Sequence, residues 1–276
     1  MFRLAQSLFN PPDEGMSSNS GGPESESGPG PEPFYPSLHD VSKLRHILRW
    51  KVVPGGLPTE MVDLVIDAAE YWPSTVTSME KKTEIRKDRD QELVRTWPLC
   101  FDEKALQSSP PKPLPHRTSH PCRKIVFSIS AKDQGSRPDE NRGRYYASWT
   151  WFDANVVPQN HEAGENATQI DPPQPPRHFS GDDPLLLPRA HKLQNNPRGQ
   201  QSEHNTIVWH YLDDIAADSA EAEEIEQTLG RGRATLDGST VRGLQVGDSI
   251  SVMGRARFPG WRNEVERVSV RVFWSA

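Results

Sequence analysis

The residues able to do acid–base, redox or metal chemistry are scattered along this chain rather than grouped. Most of the nine histidines lie in predicted loops, where they form no helical pair of metal ligands. Two cysteines, Cys100 and Cys122, are too few for a structural zinc site or a disulfide framework. The run at residues 230–233, GRGR, lacks the third glycine of a dinucleotide-binding loop. The sequence therefore predicts no catalytic residue, no metal and no cofactor.

Acidic side chains gather in two predicted loops and suit a hard cation. Asp133 and residues 139–141 share one loop, and residues 213–214 follow a later predicted strand. Oxygen ligands from two loops at one end of a sandwich could hold calcium, but solvated turns have the same composition. We therefore predict no metal site from these residues.

Aromatic side chains able to stack on a sugar are concentrated in residues 144–157, RYYASWTWFDANVV. This composition favours a strand in a half-buried sheet. Trp149 and Trp151 share one face of that strand, and Phe152 points to the other. Together with Trp261, which lies in a Pro-Gly turn, Trp149 and Trp151 are the candidate ligand-binding residues. The alternative is that most of these rings fill the core of the sheet domain.

The elements around this strand predict an antiparallel β-sandwich, of jelly-roll type, over residues 122–276. Ile125, Phe127 and Ile129 alternate on one face of the first predicted strand, and residues 205–212 form another. Residues 250–258 and 264–274 alternate in the same way, and the Pro-Gly turn between them predicts a hairpin. Residues 158–204 are rich in Pro, Asn, Gln and Gly, and are predicted to be a flexible insertion.

Composition limits the rest of the chain. Hydrophobic residues make up 34% of it, and there are 26 prolines, which indicates disordered regions around a modest core. Residues 1–40 are predicted to be a disordered acidic tail. The net charge of −6 argues against a nucleic-acid partner, and no apolar run is long enough for a membrane span. We expect a cytoplasmic or nuclear protein.

Residues 41–106 are predicted to be a helical segment, joined to the sandwich by a Pro-rich linker at residues 107–121. A first helix covers residues 41–50. A second covers residues 57–73 and ends at Pro73. Its apolar residues at helical spacing form one predicted buried stripe: Met61, Leu64, Val65, Ala68 and Trp72. The charged residues 74–96 are predicted to form a solvated helix or loop.

The segment from Gly56 to Pro73, GLPTEMVDLVIDAAEYWP, resembles the opening of an F-box, in which Leu-Pro and an acidic residue precede an apolar helix. In that family the Leu-Pro turn and the helix dock on the adaptor subunit of a cullin-type ubiquitin ligase. The resemblance implies that Leu57, Pro58, Val62 and Ile66 contact such a partner. The alternative is a helix that only packs against the core.

The β region resembles a domain found in many uncharacterised fungal proteins. The shared motifs are an Asp-Gln-Gly turn at residues 133–135, a Ser-x-Thr-Trp-Phe strand at 148–152, Gly247-Asp248, and the run ARFPGW at 256–261. The family has no established activity, so the resemblance implies an architecture and no reaction.

These observations favour a non-enzymatic intracellular protein-interaction module, and the F-box resemblance implies a substrate adaptor of a ubiquitin ligase. The alternative is a β-sandwich module that binds a ligand in the manner of a lectin. An enzyme ranks below both, because no acid–base pair is visible. The first two hypotheses differ in whether the apolar face of residues 57–72 packs on the β domain or stays exposed.

Overall fold

The computed structural model describes residues 33–87, 89–135, 143–159, 191–199 and 201–276. Residues from Tyr35 to Ala276 belong to one compact unit, which holds every element described below. Most of the predicted disordered tail, residues 1–40, lies outside the described residues. Its last three residues, from Leu38, already belong to a helix.

The described residues form five α-helices and nine strands. The helices are α1 Leu38–Trp50, α2 Thr59–Ala68, α3 Glu103–Gln107, α4 Ala220–Leu229 and α5 Ser239–Gly243. The strands are β1 Ser74–Met79, β2 Thr83–Arg86, β3 Gln91–Arg95, β4 Cys122–Lys132, β5 Thr150–Val157, β6 His191–Asn195, β7 Glu203–His210, β8 Ser249–Ala256 and β9 Arg262–Trp274.

The strands make two antiparallel sheets. One has the order β1-β9-β4-β7, with the short β2 also paired to β9, and the other has the order β3-β8-β5-β6. When β2 is set aside, the eight remaining strands pair in chain order as 1-8-3-6 and 2-7-4-5. This is the strand order of a jelly roll, the two-sheet form of an antiparallel β-sandwich. The predicted fold class, mainly β, is confirmed.

The core lies between the two sheets. Ile125, Phe127 and Ile129 of β4 are buried, as their alternation predicted, and the ring of Phe127 lies 4.7 Å from that of Trp209. Phe152 of β5 and Val252 of β8 face them from the second sheet. Each such side chain contributes about 1.5–3 kcal/mol by leaving water. One apolar face per strand is therefore enough to hold the layers together.

The prediction of a solvated helix or loop over residues 74–96 is wrong, because this segment supplies β1, β2 and β3. Ile85 and Leu93 are buried in the core. Among the described charged residues between them, Arg86, Lys87 and Arg89 are exposed, whereas Asp90 and Glu92 are buried and pair with Arg255 and Arg95. A strand at a sheet edge needs only one apolar face, so a charged composition is compatible with it. The sandwich therefore begins at Ser74, and residues 41–106 are not a purely helical segment.

The predicted C-terminal hairpin is also wrong. β8 pairs with β3 and β5, whereas β9 pairs with β1, β2 and β4, so the Pro-Gly turn carries the chain from one sheet to the other. Alternating strands joined by a short turn can bury their apolar faces by stacking across the core as well as by pairing edge to edge. The local pattern of β8 and β9 does not distinguish these two arrangements.

Two other predicted segments differ in extent. The aromatic strand begins at Thr150 rather than at Arg144, because residues 144–147 form a turn in which Ala147 has φ +51°. The predicted insertion at 158–204 contains β6, which pairs with β5 and so belongs to the sandwich. Residues 160–190 of that insertion lie outside the described residues.

Backbone hydrogen bonds hold the predicted Pro-rich linker, residues 107–121, to the rest of the fold. Leu114 N–H donates to the carbonyl of Cys100 at 2.7 Å, and Arg117 N–H donates to that of Ser275 at 3.1 Å. Proline-rich segments lack some backbone donors, so the donors that remain fix where such a segment lies. The linker is thus a bonded part of the fold.

Candidate functional site

Helix α1 is capped at its N-terminus, and three of its five basic side chains, Arg45, His46 and Arg49, line a groove. Ser37 and Asp40 form a capping box, in which the hydroxyl of Ser37 accepts from Asp40 N–H and the Asp40 carboxylate accepts from Ser37 N–H. Those hydrogen bonds hold the pKa of Asp40 below its usual value. The buried Val41 anchors the helix. Arg45, one turn later on the same face, and Arg49 are half-buried, whereas His46 is exposed.

Helix α2 buries a different face from the predicted one. Val62 and Ile66 are 2% and 1% exposed and pack with Phe273 of β9 and Trp72, whereas Leu64 is 63% exposed. The predicted stripe of Met61, Leu64 and Val65 thus faces outward. The helix ends at Ala68 rather than at Pro73, so Trp72 is not part of it.

This packing changes the expected partner contacts. Of the four residues singled out for an adaptor, Val62 and Ile66 lie in the protein's own core, Leu57 is half-buried and Pro58 is exposed. Burial of two aliphatic side chains one helical turn apart stabilises the attachment of α2 by about 3–6 kcal/mol. Their face is therefore covered by the sheet and is not free for a partner.

Ion pairs hold α2 at the end of the sheet. The Asp63 carboxylate lies 2.7 Å from Arg45 and 3.1 Å from Arg117, and Arg117 also donates to Asp67 at 2.5 Å. Asp67 accepts from the indole Nε1 of Trp72 at 2.8 Å. These bonds connect α1, α2 and the segment before β4, and they keep the two helices in a fixed relation.

A groove with a cavity volume of about 330 Å³ lies between α1 and α2. The described residues that line it are Arg45, His46, Arg49, Trp50, Thr59 and Val62. No carboxylate is among these described lining residues. Pockets that take ligands combine an apolar wall with a few placed polar groups, and this groove has both.

The polar groups of the groove favour an anion. The guanidinium of Arg49 donates to the carbonyl of Leu57 at 2.6 Å and lies 5.2 Å from the ring centre of Trp50. Thr59 is the first residue of α2, whose N-cap, Pro58, supplies no side-chain hydrogen bond. An uncapped helix N-terminus carries partial positive charge, but Glu60 in the same turn offsets it, so the positive charge of the groove comes from its basic side chains.

Trp50 supplies the apolar wall. It is 59% exposed although it is one of the largest hydrophobic side chains in the protein. It occupies the last position of α1, before a turn in which Gly55 and Gly56 have φ +86° and +78°. The groove is thus a cationic site beside an exposed indole ring.

A second group of charges secures α2 at its other end. The Glu70 carboxylate lies 2.7 Å from Lys124 Nζ and 3.4 Å from His210 Nε2. Interaction with His210, followed by Lys124, lowers the pKa of Glu70 to about 2. The ring of Trp72 lies 5.9 Å from that of His210. This cluster joins the end of α2 to β4 and β7, and we interpret it as an attachment.

The second sheet carries buried charges on its outer face. Arg255 on β8 donates to Asp90 at 2.6 Å and to Asp153 at 2.7 Å, and Trp151 Nε1 donates to Asp153 at 2.9 Å. Burial raises the pKa of Asp153, although Arg255 opposes this effect. Arg255 is only 5% exposed, so the cluster binds strands together rather than offering an open site. Sequence reasoning missed it because its members are far apart along the chain.

Of the three predicted ligand-binding rings, only that of Trp149 is exposed. Trp149 precedes the strand and is exposed, with its ring 4.8 Å from that of Phe258. Trp151 is half-buried beneath the guanidinium of Arg257, and Trp261 is half-buried. The structure therefore pairs Trp149 with Phe258, which sequence reasoning did not select.

The remaining candidates for chemistry are structural within the described residues. Asp133 is buried and its carboxylate accepts from Gly135 N–H at 2.8 Å, as a turn former does. No group of three potential metal ligands occurs in the described part of the chain, and residues 139–141 lie outside it. Cys100 and Cys122 are buried free thiols, and burial raises the pKa of Cys122 to about 12.

None of the helices in the described residues combines the length and hydrophobicity that spanning a bilayer requires.

Comparisons with known proteins identify no family. No protein-family model and no curated protein matches this chain. Among solved structures, it is similar to a chain in the three-dimensional structure of maize chlorotic mottle virus revealed by single-particle analysis. The identity is 12%, over 74% of this chain and 94% of the viral one, with a TM-score of 0.19. A score that low supports no conclusion about fold or function.

Proposed function

We propose that this chain is a non-catalytic protein-interaction module that binds an acidic segment of a partner protein in the groove between α1 and α2. The observation that carries the proposal is the combination of two arginines, a histidine and an exposed tryptophan in one groove whose described lining holds no carboxylate. The partner segment would carry an acidic side chain next to an apolar one.

The acidic side chain would bind at Arg49 and His46, because Glu60 in the first turn of α2 opposes an anion there. Arg45 contributes less, because its guanidinium is already engaged by Asp63 at 2.7 Å and by the carbonyl of Ala276 at 3.0 Å. Arg49 donates to a backbone carbonyl through one of its five N–H groups and can present others to a carboxylate. An arginine that is already oriented loses little side-chain entropy on binding.

The apolar side chain would cover the ring of Trp50. A tryptophan exposes up to roughly 250 Å², so the 59% left in water corresponds to about 150 Å². At about 25 cal/mol per Å², covering it is worth at most about 4 kcal/mol. Tryptophan and arginine are also the residue types in which binding energy tends to concentrate.

Docking of an F-box-type adaptor could use only part of the predicted contact residues. An adaptor that used Val62 and Ile66 would have to displace Phe273 and Trp72, which pack on them. Only Leu57 and Pro58 remain within reach of a partner, and they lie in the turn that leads from α1 to α2. We therefore propose the groove as the principal contact, with Leu57 and Pro58 at its side.

The test uses fluorescein-labelled eight-residue peptides in which two Asp or Glu flank a Leu or Phe, in a fluorescence-polarisation assay with the full chain. Matched peptides carry Asn and Gln in place of the acids. We expect the acidic set to bind, Arg49→Gln and Trp50→Ala each to weaken binding at least tenfold, and binding to fall as salt rises. The control is Trp149→Ala, which removes an exposed tryptophan outside the groove.

Two results contradict the proposal: equal binding of the amide-substituted peptides, or unchanged binding by Trp50→Ala. Adaptor docking at Leu57 and Pro58 is tested separately, by co-precipitation with a purified adaptor subunit. There, Leu57→Ala/Pro58→Ala should lower recovery, and no difference from the natural chain would exclude adaptor docking through this turn.

A further inference from the structure

Two large aromatic rings lie exposed at one end of the sandwich. Trp149, in the turn before β5, is 42% exposed, and Phe258, in the connection from β8 to β9, is 50% exposed. Their ring centres are 4.8 Å apart and their planes meet at 89°. The pair forms a right-angled corner whose two walls are apolar.

The backbone holds this corner in place. Arg257 N–H donates to the carbonyl of Trp149 at 2.9 Å, which ties the two loops together. Phe258 has φ +62°, a conformation that a bulky residue rarely adopts. This backbone conformation leaves the ring of Phe258 beside that of Trp149 and half in water. Core packing gives no reason for this arrangement, and strained exposed residues often mark binding sites.

Arg257, the residue before Phe258, is the polar side chain adjacent to the corner in sequence. Its guanidinium lies 5.3 Å from the ring centre of Trp151, and that indole donates to Asp153 at 2.9 Å. Arg257 is exposed, and within the described residues no carboxylate lies at ion-pair distance from it. The stacked guanidinium has a fixed direction, with N–H donors available to a ligand.

We propose that Trp149, Phe258 and Arg257 bind one sugar unit of a neutral carbohydrate. The axial C–H groups of a pyranose ring form a flat apolar face that stacks on an indole, and its hydroxyl oxygens accept from a guanidinium. A right-angled corner fits a single ring that touches one wall with its face and the other with its edge.

Single-stranded nucleic acid fits this corner less well. Successive bases stack on rings that lie along one strand path, whereas these two planes meet at 89°. The chain also carries a net charge of −6, which opposes a polyanion. This site is independent of the α1–α2 groove, because the two share no residue.

The test is affinity electrophoresis of the full chain in native gels containing laminarin, xylan, hydroxyethylcellulose or glycol chitin. We expect retardation in at least one of these gels. Trp149→Ala should weaken it at least tenfold, Trp149→Phe should restore part of it, and Arg257→Ala should weaken it at least threefold. Trp50→Ala, the matched exposed tryptophan in the groove, should leave it unchanged.

The failure of this proposal is distinguishable from failure at the groove. Retardation in none of the four gels, or full retardation of Trp149→Ala, overturns the carbohydrate site whatever the peptide assay shows. Abolition of the retardation by an oligo-dT competitor reassigns the corner to nucleic acid. If Trp149→Ala fails to fold, as judged by thermal unfolding, Arg257→Gln and Phe258→Leu decide the question in the same gels.

Discussion

Replacing Arg255 by methionine is expected to destabilise the protein strongly at neutral pH. Arg255 holds two buried carboxylates, at 2.6 Å from Asp90 and 2.7 Å from Asp153, and all three side chains are at most 10% exposed. Methionine fills much of the same volume but leaves both carboxylates without their cation. Breaking a buried ion pair from one side costs about 3–5 kcal/mol.

Urea unfolding, followed by tryptophan fluorescence, measures this cost. With a slope of roughly 2 kcal/mol per molar urea, the expected loss lowers the midpoint by about 1.5–2.5 M. The matched control is Arg267→Met on β9, an exposed arginine that lies 3.6 Å from Glu80. A surface pair of this kind contributes at most about 1 kcal/mol, so its midpoint should move far less.

The pH dependence separates buried charge from lost packing. Burial already raises the pKa of Asp153, and loss of Arg255 raises that folded-state pKa further. A carboxyl whose folded pKa lies above its unfolded value binds protons more readily when folded, so the variant regains stability as pH falls through that folded pKa. The difference in urea midpoint between the natural chain and Arg255→Met should therefore become smaller from pH 7 to pH 4. A midpoint shift below about 0.5 M, or an equal shift at both pH values, would refute the reasoning.

Three further predictions concern α1, α2 and their connection. In urea unfolding, Ile66→Ala should lower the free energy of unfolding by about 2–5 kcal/mol and Leu64→Ala by about 0.5 kcal/mol or less, because only Ile66 is buried. Similar losses for the two variants would mean that α2 turns its other face to the sheet. Glu70→Gln should lower the free energy of unfolding by about 1 kcal/mol at pH 7, after discounting for solvent screening. Because the folded pKa of Glu70, about 2, lies below the usual 4.5, this difference in stability should disappear as pH falls from 4.5 to 2. A difference that persists at pH 2 would mean that the loss comes from packing. Gly56→Ala should abolish peptide binding in the groove, because the added Cβ would overlap the carbonyl of Arg49. Gly55→Ala, at a similar φ but with open space around it, should cost only backbone strain. Equal peptide affinity of the two variants would contradict this prediction.

The strands that could be predicted from sequence are those that bury one face. Ile125, Phe127 and Ile129 alternate with polar residues, and the core lies on their side because a period of two fixes which side chains share a face. β1 to β3 were missed because an edge strand tolerates charges around a few buried residues such as Ile85. The partner of a strand depends on distant residues, so the β8–β9 connection could not be assigned locally.

The candidate sites show the same division between local pattern and tertiary context. Helix α2 has two apolar stripes, and Phe273, more than two hundred residues away, decides that Val62 and Ile66 face inward. The groove had a local signal, a tryptophan at a helix end followed by a Gly-Gly turn. The pairing of Trp149 with Phe258 had none, because it depends on two loops that only the jelly-roll order brings together.

The tryptophans themselves indicate where binding is expected. Trp72, Trp209 and Trp274 are almost completely buried, so this fold can enclose indole rings. Trp50 and Trp149 remain in water, which forgoes roughly 2–4 kcal/mol of burial for each ring. A smaller polar residue at either position would avoid that loss without disturbing the core. Each exposed ring is accompanied by an arginine that other groups orient. Arg49 donates to the carbonyl of Leu57 beside Trp50, and Arg257, which stacks on Trp151, donates to the carbonyl of Trp149 through its backbone N–H.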